Sequence, residues 1–458
     1  MVSAQTRSPY GPADSGSVDS GTADSGPADA DSANEGYPRR VIDALKSRYH
    51  RTPWWVTVLV IFVVSRLVTT GIMLAFAAAQ AQNAWTLASP DYFSFATIWD
   101  GHWYYIISAV GYPSTLPLTA EGNVGESAWA FMPGYPGLVA VLSWLLGMPF
   151  SVAAVVVSVG FALGTALMFY RVLALVLPSG TAMFSVVLFC VAPLSPILQV
   201  AYAESMNLFF LTCALYLLLK RRYWLLLPVI AVMSLTRPSG LAFALALGLH
   251  VLYRLAIRKR EAFPVREFVA SSTAALFSAL MGFAWLLIAW AVTGSLTAYT
   301  DTELAWRSAY VGYGHLIPFA GWVQGANWWI PSPWGPILLV LAVALFAVAM
   351  FTPWVRRLGV DLRLWVASYV LYRSPSFSRS RVFSGCWCRY SLCLARSPCR
   401  SLRCTERSLF CCSSRVKSAG FTSPGGSTDT TGRRRKSTVE KVPFLRTREI
   451  DDNRYVSV

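Results

Sequence analysis

The sequence predicts an all-α polytopic membrane protein, and three observations carry that prediction. Of 458 residues, 55% are hydrophobic and 14% charged, where soluble domains average about 25% charged. Several apolar runs approach the ~20 residues needed to cross hydrocarbon. Lysine and arginine cluster at the ends of these runs, as the positive-inside rule requires of cytoplasmic segments. The net charge of +16 does not disturb this class, because it is concentrated in one place. From Arg373 onward there are 18 Lys+Arg and 6 Asp+Glu, which leaves +4 for everything before. Cys190 and Cys213 lie in apolar runs and the other seven cysteines fall between Cys386 and Cys412, so the membrane part shows no disulfide framework.

Residues 1–38 are near-repeats of Ser, Gly, Ala, Pro and Asp such as "TADSGPADADS". Too little apolar surface is present to offset ordering entropy, and the segment is expected to be disordered. Residues 39–53 follow as a basic juxtamembrane segment, "RRVIDALKSRYHR", which places the N-terminus in the cytoplasm. No short apolar core with a small-residue site precedes Trp54, so no cleaved signal peptide is expected. The first span runs from Trp54 to about Gln80 and contains Arg66.

The stretch from about 83 to 130 holds Asp91, Asp100, Glu121 and Glu126 and no Lys or Arg, which marks a long first extracytoplasmic loop. Within it lies "FATIWDGHWYYIISAVGYP". Trp99, Trp103, Ile106, Ile107 and Val110 recur at helical spacing. They predict an amphipathic helix in the outer leaflet, with Tyr104, Tyr105 and Tyr112 at head-group level. Pro133, Gly134 and Pro136 of "AWAFMPGYPGL" punctuate the start of the next run.

From that loop to the basic cluster "KRR" at 220–222 the chain must cross an odd number of times. Four apolar runs are visible, at roughly 131–148, 151–177, 181–199 and 204–219. One of them is expected to be re-entrant, interfacial or wrongly divided. Residues 223–236 and 240–256 form a pair turning outside at "TRPSG"; 268–292 exits, 293–335 is a second outer loop, and 336–354 returns. Residues 54–372 thus form the transmembrane domain. After Arg373 the composition changes abruptly to Ser, Arg and Cys. We read 373–458 as an out-of-frame product of a GC-rich gene, with a genuine basic tail that binds anionic lipid as the rival reading.

Few residues could carry chemistry. Asp100 opens the predicted loop helix, and two roles stay open for it: an N-cap for free backbone N–H groups, or a general base at the membrane surface. Glu204 in "SPILQVAYAESMNLFF" and Arg237 in "MSLTRPSGLAF" lie in apolar surroundings. A charge at the bilayer centre costs ~2.5–3.5 kcal/mol, so such residues face a cavity or a partner. Alternatively both sit at helix ends and reach head-group water, since Pro238 and Gly240 break the helix. A carboxylate pair with a guanidinium would suit an anionic lipid head group, because arginine's planar fork binds phosphate bidentately. Arg66 either binds phosphate or snorkels and pairs within the bundle. His102 could hydrogen-bond a sugar or phosphate, or simply fill polar space. No phosphate loop, zinc pair or nucleophile elbow is present.

"WDGHWYYIISAVGYP", "FMPGYP", "SPILQVAYAESMNLFF" and "LTRPSG", in this order and spacing, resemble the PIG-V family of membrane mannosyltransferases in the GT-C glycosyltransferase superfamily. The resemblance covers about residues 54–372 and departs after Arg373, where further spans would be expected. It implies a GT-C-like helix bundle, a polyprenyl-phosphate-mannose donor, and a lipid-linked or protein acceptor outside the cytoplasm. On this resemblance Asp100 matches the catalytic loop aspartate, Tyr202 and Glu204 the Tyr-x-Glu motif, and Thr236 and Arg237 the Thr-Arg motif. Trp99, His102 and Tyr104 would join Tyr202, Glu204 and Arg237 in binding substrate. The lipid-phosphate sugar serves as substrate, no cofactor or metal ligand set is implied, metal dependence stays open, and no nucleic acid partner is expected. A lipid transporter or flippase and a non-catalytic scaffold are the alternatives, but no internal repeat of the Asp100 or Arg237 neighbourhoods is visible.

Overall fold

The computed structural model of the protein describes residues 52–313 and 319–373. The expectations for 1–38, for the basic segment up to residue 51 and for the tail beyond residue 373 lie outside them. Among the described residues every regular element is a helix. Three are long and apolar enough to cross a membrane: α1 (Trp54–Ala78), α5 (Phe150–Leu173) and α10 (Val265–Thr293).

Prolines set many of the boundaries. Pro53, Pro149 and Pro264 stand immediately before α1, α5 and α10, where a fixed φ and a missing N–H do no harm to the ladder. Pro133 and Pro178 do the same for α4 (Gly134–Leu146) and α6 (Ser179–Val191). Gly147 and Gly294 end α4 and α10 in the left-handed conformation, the usual helix stop. Between α1 and α4 lie two loop helices, α2 (Tyr92–Ala96) and α3 (Asp100–Val110), and a single 3-10 turn at Ala128–Ala130. After α6 come a 3-10 segment at Ser195–Gln199, α7 (Glu204–Leu219), α8 (Tyr223–Thr236) and α9 (Gly240–Ala256). The remaining helices are α11 (Ala298–Val311), α12 (Ala320–Trp329), α13 (Trp334–Ala349), α14 (Pro353–Arg356) and α15 (Gly359–Arg373).

The four apolar runs between 131 and 219 become α4, α5, α6 with its 3-10 extension, and α7, of which α5 is long and apolar enough to cross a membrane. α4 starts against the end of α8, where Gly134 abuts Leu235 and Thr236. It is followed at once by Phe150, whose ring meets Tyr105 of α3 at 5.5 Å. Both ends of α4 therefore stay at the α3 end of the bundle. α5 does traverse: Ser158 reaches Tyr202 just before α7, and Arg171 reaches Tyr216 in the last turn of α7 at 3.5 Å. α6 returns only part of the way as a helix. Its last carbonyls and the 3-10 segment are held by Arg66 of α1, which donates to Ser195 O at 2.6 Å and Cys190 O at 2.9 Å. Of the two readings open for Arg66, pairing within the bundle is thus the one the contacts describe.

Among the described residues, three of the five apolar clusters hold most of the bundle. α1, α5 and α6 pack around Phe62, Tyr170 and Val186. α7, α8, α9, α10 and α15 share Leu218, Leu226, Phe243 and Trp365. The loop and α4 meet α5 and α7 around Tyr104, Phe131 and Tyr135. At the end of the bundle away from α3, a polar chain crosses four helices. Asp361 accepts from His250 Nδ1 at 2.6 Å, His250 Nε2 meets Tyr223 OH at 2.9 Å, and Tyr223 donates to Glu267 at 3.1 Å.

The loop helix α3 does not lie as the apolar stripe predicts. Its buried residues are Gly101, Tyr104 and Ile107, whereas Val110 is 78% exposed. Tyr104, expected at head-group level, is buried against Phe131 at 5.4 Å and Tyr135 at 5.1 Å. Aromatic rings from α4 and the 3-10 turn give it more complementary contact than a lipid surface would.

A Cβ at Gly134 would come within 2.8 Å of Leu235 O and 2.9 Å of Thr236 Oγ1, so backbone must shift to admit one. Gly134→Ala is expected to destabilise the protein by about 1–3 kcal/mol, read as a lower unfolding midpoint in detergent. Gly137→Ala, which meets nothing within 4 Å, serves as the control and should leave the midpoint in place or raise it.

Candidate functional site

Asp100, Glu204 and Arg237 meet. Arg237 Nη2 donates to Glu204 Oε1 in a close ion pair and lies 3.6 Å from Asp100 Oδ2. The two carboxylate side chains are each 29% exposed and the arginine 16%, so the group borders on solvent without being immersed in it.

Local sequence explains each placement. Pro238 disfavours helix for the residue before it, and Arg237 accordingly ends α8 in an extended conformation, φ −148° and ψ 153°. Glu204 is the first residue of α7 and Asp100 the first of α3. Both carboxylates therefore sit at helix N-termini, where the macrodipole favours negative charge. The start of α7 is tied to the start of α9 through Ser239 Oγ, which donates to Asn207 at 3.1 Å.

The loop is latched to α7 beside Asp100. Ala201 N donates to Ala96 O at 2.9 Å, and Tyr202 OH donates to Ile98 O at 3.4 Å. Gly101 permits the approach: a Cβ there would already stand 3.3 Å from Ala201. Ser158 Oγ in turn donates to Tyr202 O at 3.2 Å and meets Tyr135 OH at 2.8 Å. Tyr202 is therefore a buried post beneath the carboxylates.

The N-cap reading of Asp100 is corrected. Trp99 occupies the N-cap position with no side-chain cap, at φ 55° and ψ −114°. Such a conformation is costly for a residue with a Cβ, of order 1–3 kcal/mol, and persists where the surroundings over-determine it. The capping role belongs to Asp91, which accepts from Phe93 N and Ser94 N and starts α2. The hydrogen bond from Ser94 holds the Asp91 carboxyl below its ordinary range. Asp100 instead turns towards Arg237.

Of the other residues singled out in the sequence, Tyr104 lies close enough to Arg237 to interact with its charge. Trp99 shapes the backbone on which Asp100 stands. His102 is placed elsewhere: its ring lies 5.1 Å from Trp85 and 6.2 Å from Tyr105. Burial lowers its pKa, so at neutral pH it is uncharged and carries no cation towards the carboxylates. The sequence reading missed Tyr135, Ser158 and Asn207, which support the site through hydroxyl and amide contacts. Their only signal would have been polar atoms inside apolar runs. Among the described residues no group of three or more His, Cys, Asp or Glu is arranged to hold a metal ion.

What the arrangement can do follows from its atoms. Glu204 Oε1 is committed to Arg237, while Glu204 Oε2 is buried with no partner and can accept from a ligand hydroxyl. Asp100 stands beyond hydrogen-bond distance of Nη2 and can accept a proton. Arg237 can hold an anion that displaces one of its carboxylates. No protein-family model, no curated protein and no solved structure matches this chain.

Two measurements check this geometry. Glu204→Gln and Arg237→Gln should each lower stability, and together less than additively, with a coupling of about 0.5–3 kcal/mol in a double-mutant cycle. The imidazole of His102, followed by NMR, should lose its proton with a midpoint below the ordinary 6.5. A midpoint above it would mean that a carboxylate faces the ring.

Proposed function

We propose that the protein is a membrane glycosyltransferase of the PIG-V and GT-C type. It moves mannose from a polyprenyl-phosphate donor to a lipid-linked or protein acceptor at the extracytoplasmic face of the cell membrane. The observation that carries this reading is the single guanidinium standing between Asp100 and Glu204. It sits at the end of the bundle from which the loop without lysine or arginine projects. The charge pattern of the loops supports an N-terminus in the cytoplasm and this site outside it. The identity of the sugar rests on the resemblance of the four ordered motifs.

In the proposed reaction an acceptor hydroxyl oxygen attacks the anomeric carbon and forms the new C–O bond. The bond from that carbon to the phosphate oxygen breaks, and its electron pair leaves with the lipid phosphate, inverting the anomeric centre. Asp100 takes the hydroxyl proton as general base and later releases it to water. The leaving phosphate gains one negative charge, and Arg237 stabilises that charge as it develops. Glu204 orients Arg237 through one oxygen and receives a sugar hydroxyl on the other. Tyr202 and Trp99 act on position: one fixes the backbone below Asp100, the other its direction. Tyr104 packs against Phe131 and Tyr135 beside Arg237, and His102 faces Trp85 and Tyr105.

Asp100→Asn keeps the shape and removes the base. In membranes given radiolabelled polyprenyl-phosphate mannose, the wild type should pass label to a new glycolipid or glycoprotein. The variant should insert and fold normally and transfer about 10²–10⁴-fold more slowly. Transfer at the wild-type rate by the variant would remove Asp100 from the base role. Label that crosses the membrane unchanged would identify a flippase instead.

A further inference from the structure

The segment that carries Asp100 also lines an open cleft of about 540 Å³, bordered by Trp103, Ile106, Tyr112, Leu116, Glu126 and Ser127. Trp103 follows Asp100 by three residues in α3, so the two share a helix face one turn apart. A mostly apolar wall with a few convergent polar groups is the usual form of a small-ligand site.

Three features describe what the cleft would take. The indole N–H of Trp103 is buried without a hydrogen-bond partner, although its ring is fixed by stacking on Phe131 at 5.9 Å and by the edge of Trp306 at 5.3 Å. A ligand oxygen would satisfy it. Glu126 stands at the rim and enters no salt bridge among the described residues; partial burial pushes its carboxyl above the ordinary range. The loop itself brings no cation: the sequence has no Lys or Arg between Arg66 and Arg171. Arg307, on the helix that covers Ser127 through Thr302 and Trp306, is engaged by Glu303 at 3.2 Å. A phosphate would meet the Glu126 carboxyl here, while the guanidinium of Arg307 is engaged by Glu303. Hydroxyl groups would meet a donor, a carboxyl and aromatic rings.

We infer that this cleft binds the neutral, hydroxylated head group of the acceptor, of the class a sugar or polyol presents. The word acceptor rests on the transferase reading; binding of such a head group does not. The two substrates are then sorted by charge: the anionic donor goes to Arg237 and the uncharged acceptor lies along α3, one turn from the base. Trp103 and Glu126 become the residues that set acceptor specificity.

The test uses the full chain in lipid nanodiscs and three probes with one tail: octyl glucoside, octyl phosphate and octan-1-ol. The readout is the indole ¹⁵N–¹H resonance of Trp103, assigned by its disappearance in Trp103→Phe. Octyl glucoside should move it saturably, and Glu126→Ala should raise that Kd by about three- to tenfold, the loss of one hydrogen bond. Octyl phosphate and octan-1-ol should bind more weakly by a similar factor. Equal affinity for octan-1-ol would make the cleft a tail site, and equal affinity for octyl phosphate an anion site; either overturns the proposal. So does a Glu126→Ala variant with unchanged Kd. Where transfer is measurable, Trp103→Phe should raise the acceptor KM and leave the donor KM unchanged. Glucoside binding without any mannose transfer would overturn the transferase reading alone.

Discussion

One guanidinium held between two carboxylates is the constraint on which the site end of this bundle depends. An ion removed from water costs several kcal/mol unless it is paired, so Arg237, Glu204 and Asp100 hold each other in place as much as they are held. The three residues come from three separate helix ends. The extended residue before Pro238 delivers the arginine, and the first turns of α7 and α3 deliver the carboxylates. Small residues make the meeting possible. Gly101 lets the loop helix press on Ala201, and Gly134 lets α4 press on the end of α8. A side chain at either position would push one partner of the ion pairs away from the others.

The opposite end of the bundle is fastened by polar contacts of a different kind. His250, Asp361, Tyr223 and Glu267 form a chain through α9, α15, α8 and α10, and Arg254 adds a hydrogen bond to Glu261 at 2.5 Å. In a bundle surrounded by lipid, apolar contact between helices gains little over contact with acyl chains, and hydrogen bonds between helices contribute more of the specificity. α8, whose far end delivers Arg237, is therefore fixed in register with α9, α10 and α15 by this chain. α13 makes the contrast plain, with one exposed apolar side chain after another and few polar ties.

Much of the second half was legible in the sequence because its signals are local. "TRPSG" announces a break between two short helices, and α8 and α9 end on either side of it. Glu204 and Arg237 stood out because a charge inside an apolar run calls for a partner. Nothing local, however, says which partner. Asp100 looked like a cap because capping statistics describe neighbours within a turn, whereas its actual companion belongs to another helix far along the chain. Tyr104 misled for a similar reason: an aromatic stripe reads the same whether it faces lipid or protein, and only Phe131 and Tyr135 decide. The parity conflict among the four runs was visible, but the sequence could not say which run caused it. His102, two residues from Asp100, points another way because a helix turns by about 200° over two positions.

The charge count of the site explains why two carboxylates serve the proposed reaction better than one. With both ionised, the trio carries −1 before an anionic donor arrives, which by itself opposes binding. The asymmetry between them offsets this. Glu204 is bonded directly to Arg237, while Asp100 stands 3.6 Å away and is the weaker competitor for the guanidinium. As the acceptor proton passes to Asp100, that carboxylate loses its charge in the same step in which the leaving phosphate gains one. The total around Arg237 is unchanged, and its attraction passes from a carboxylate to the phosphate. A lone carboxylate would have to be both the anchor of the arginine and the base, and would release the arginine on accepting the proton. Dividing the tasks keeps the guanidinium in place through the transfer.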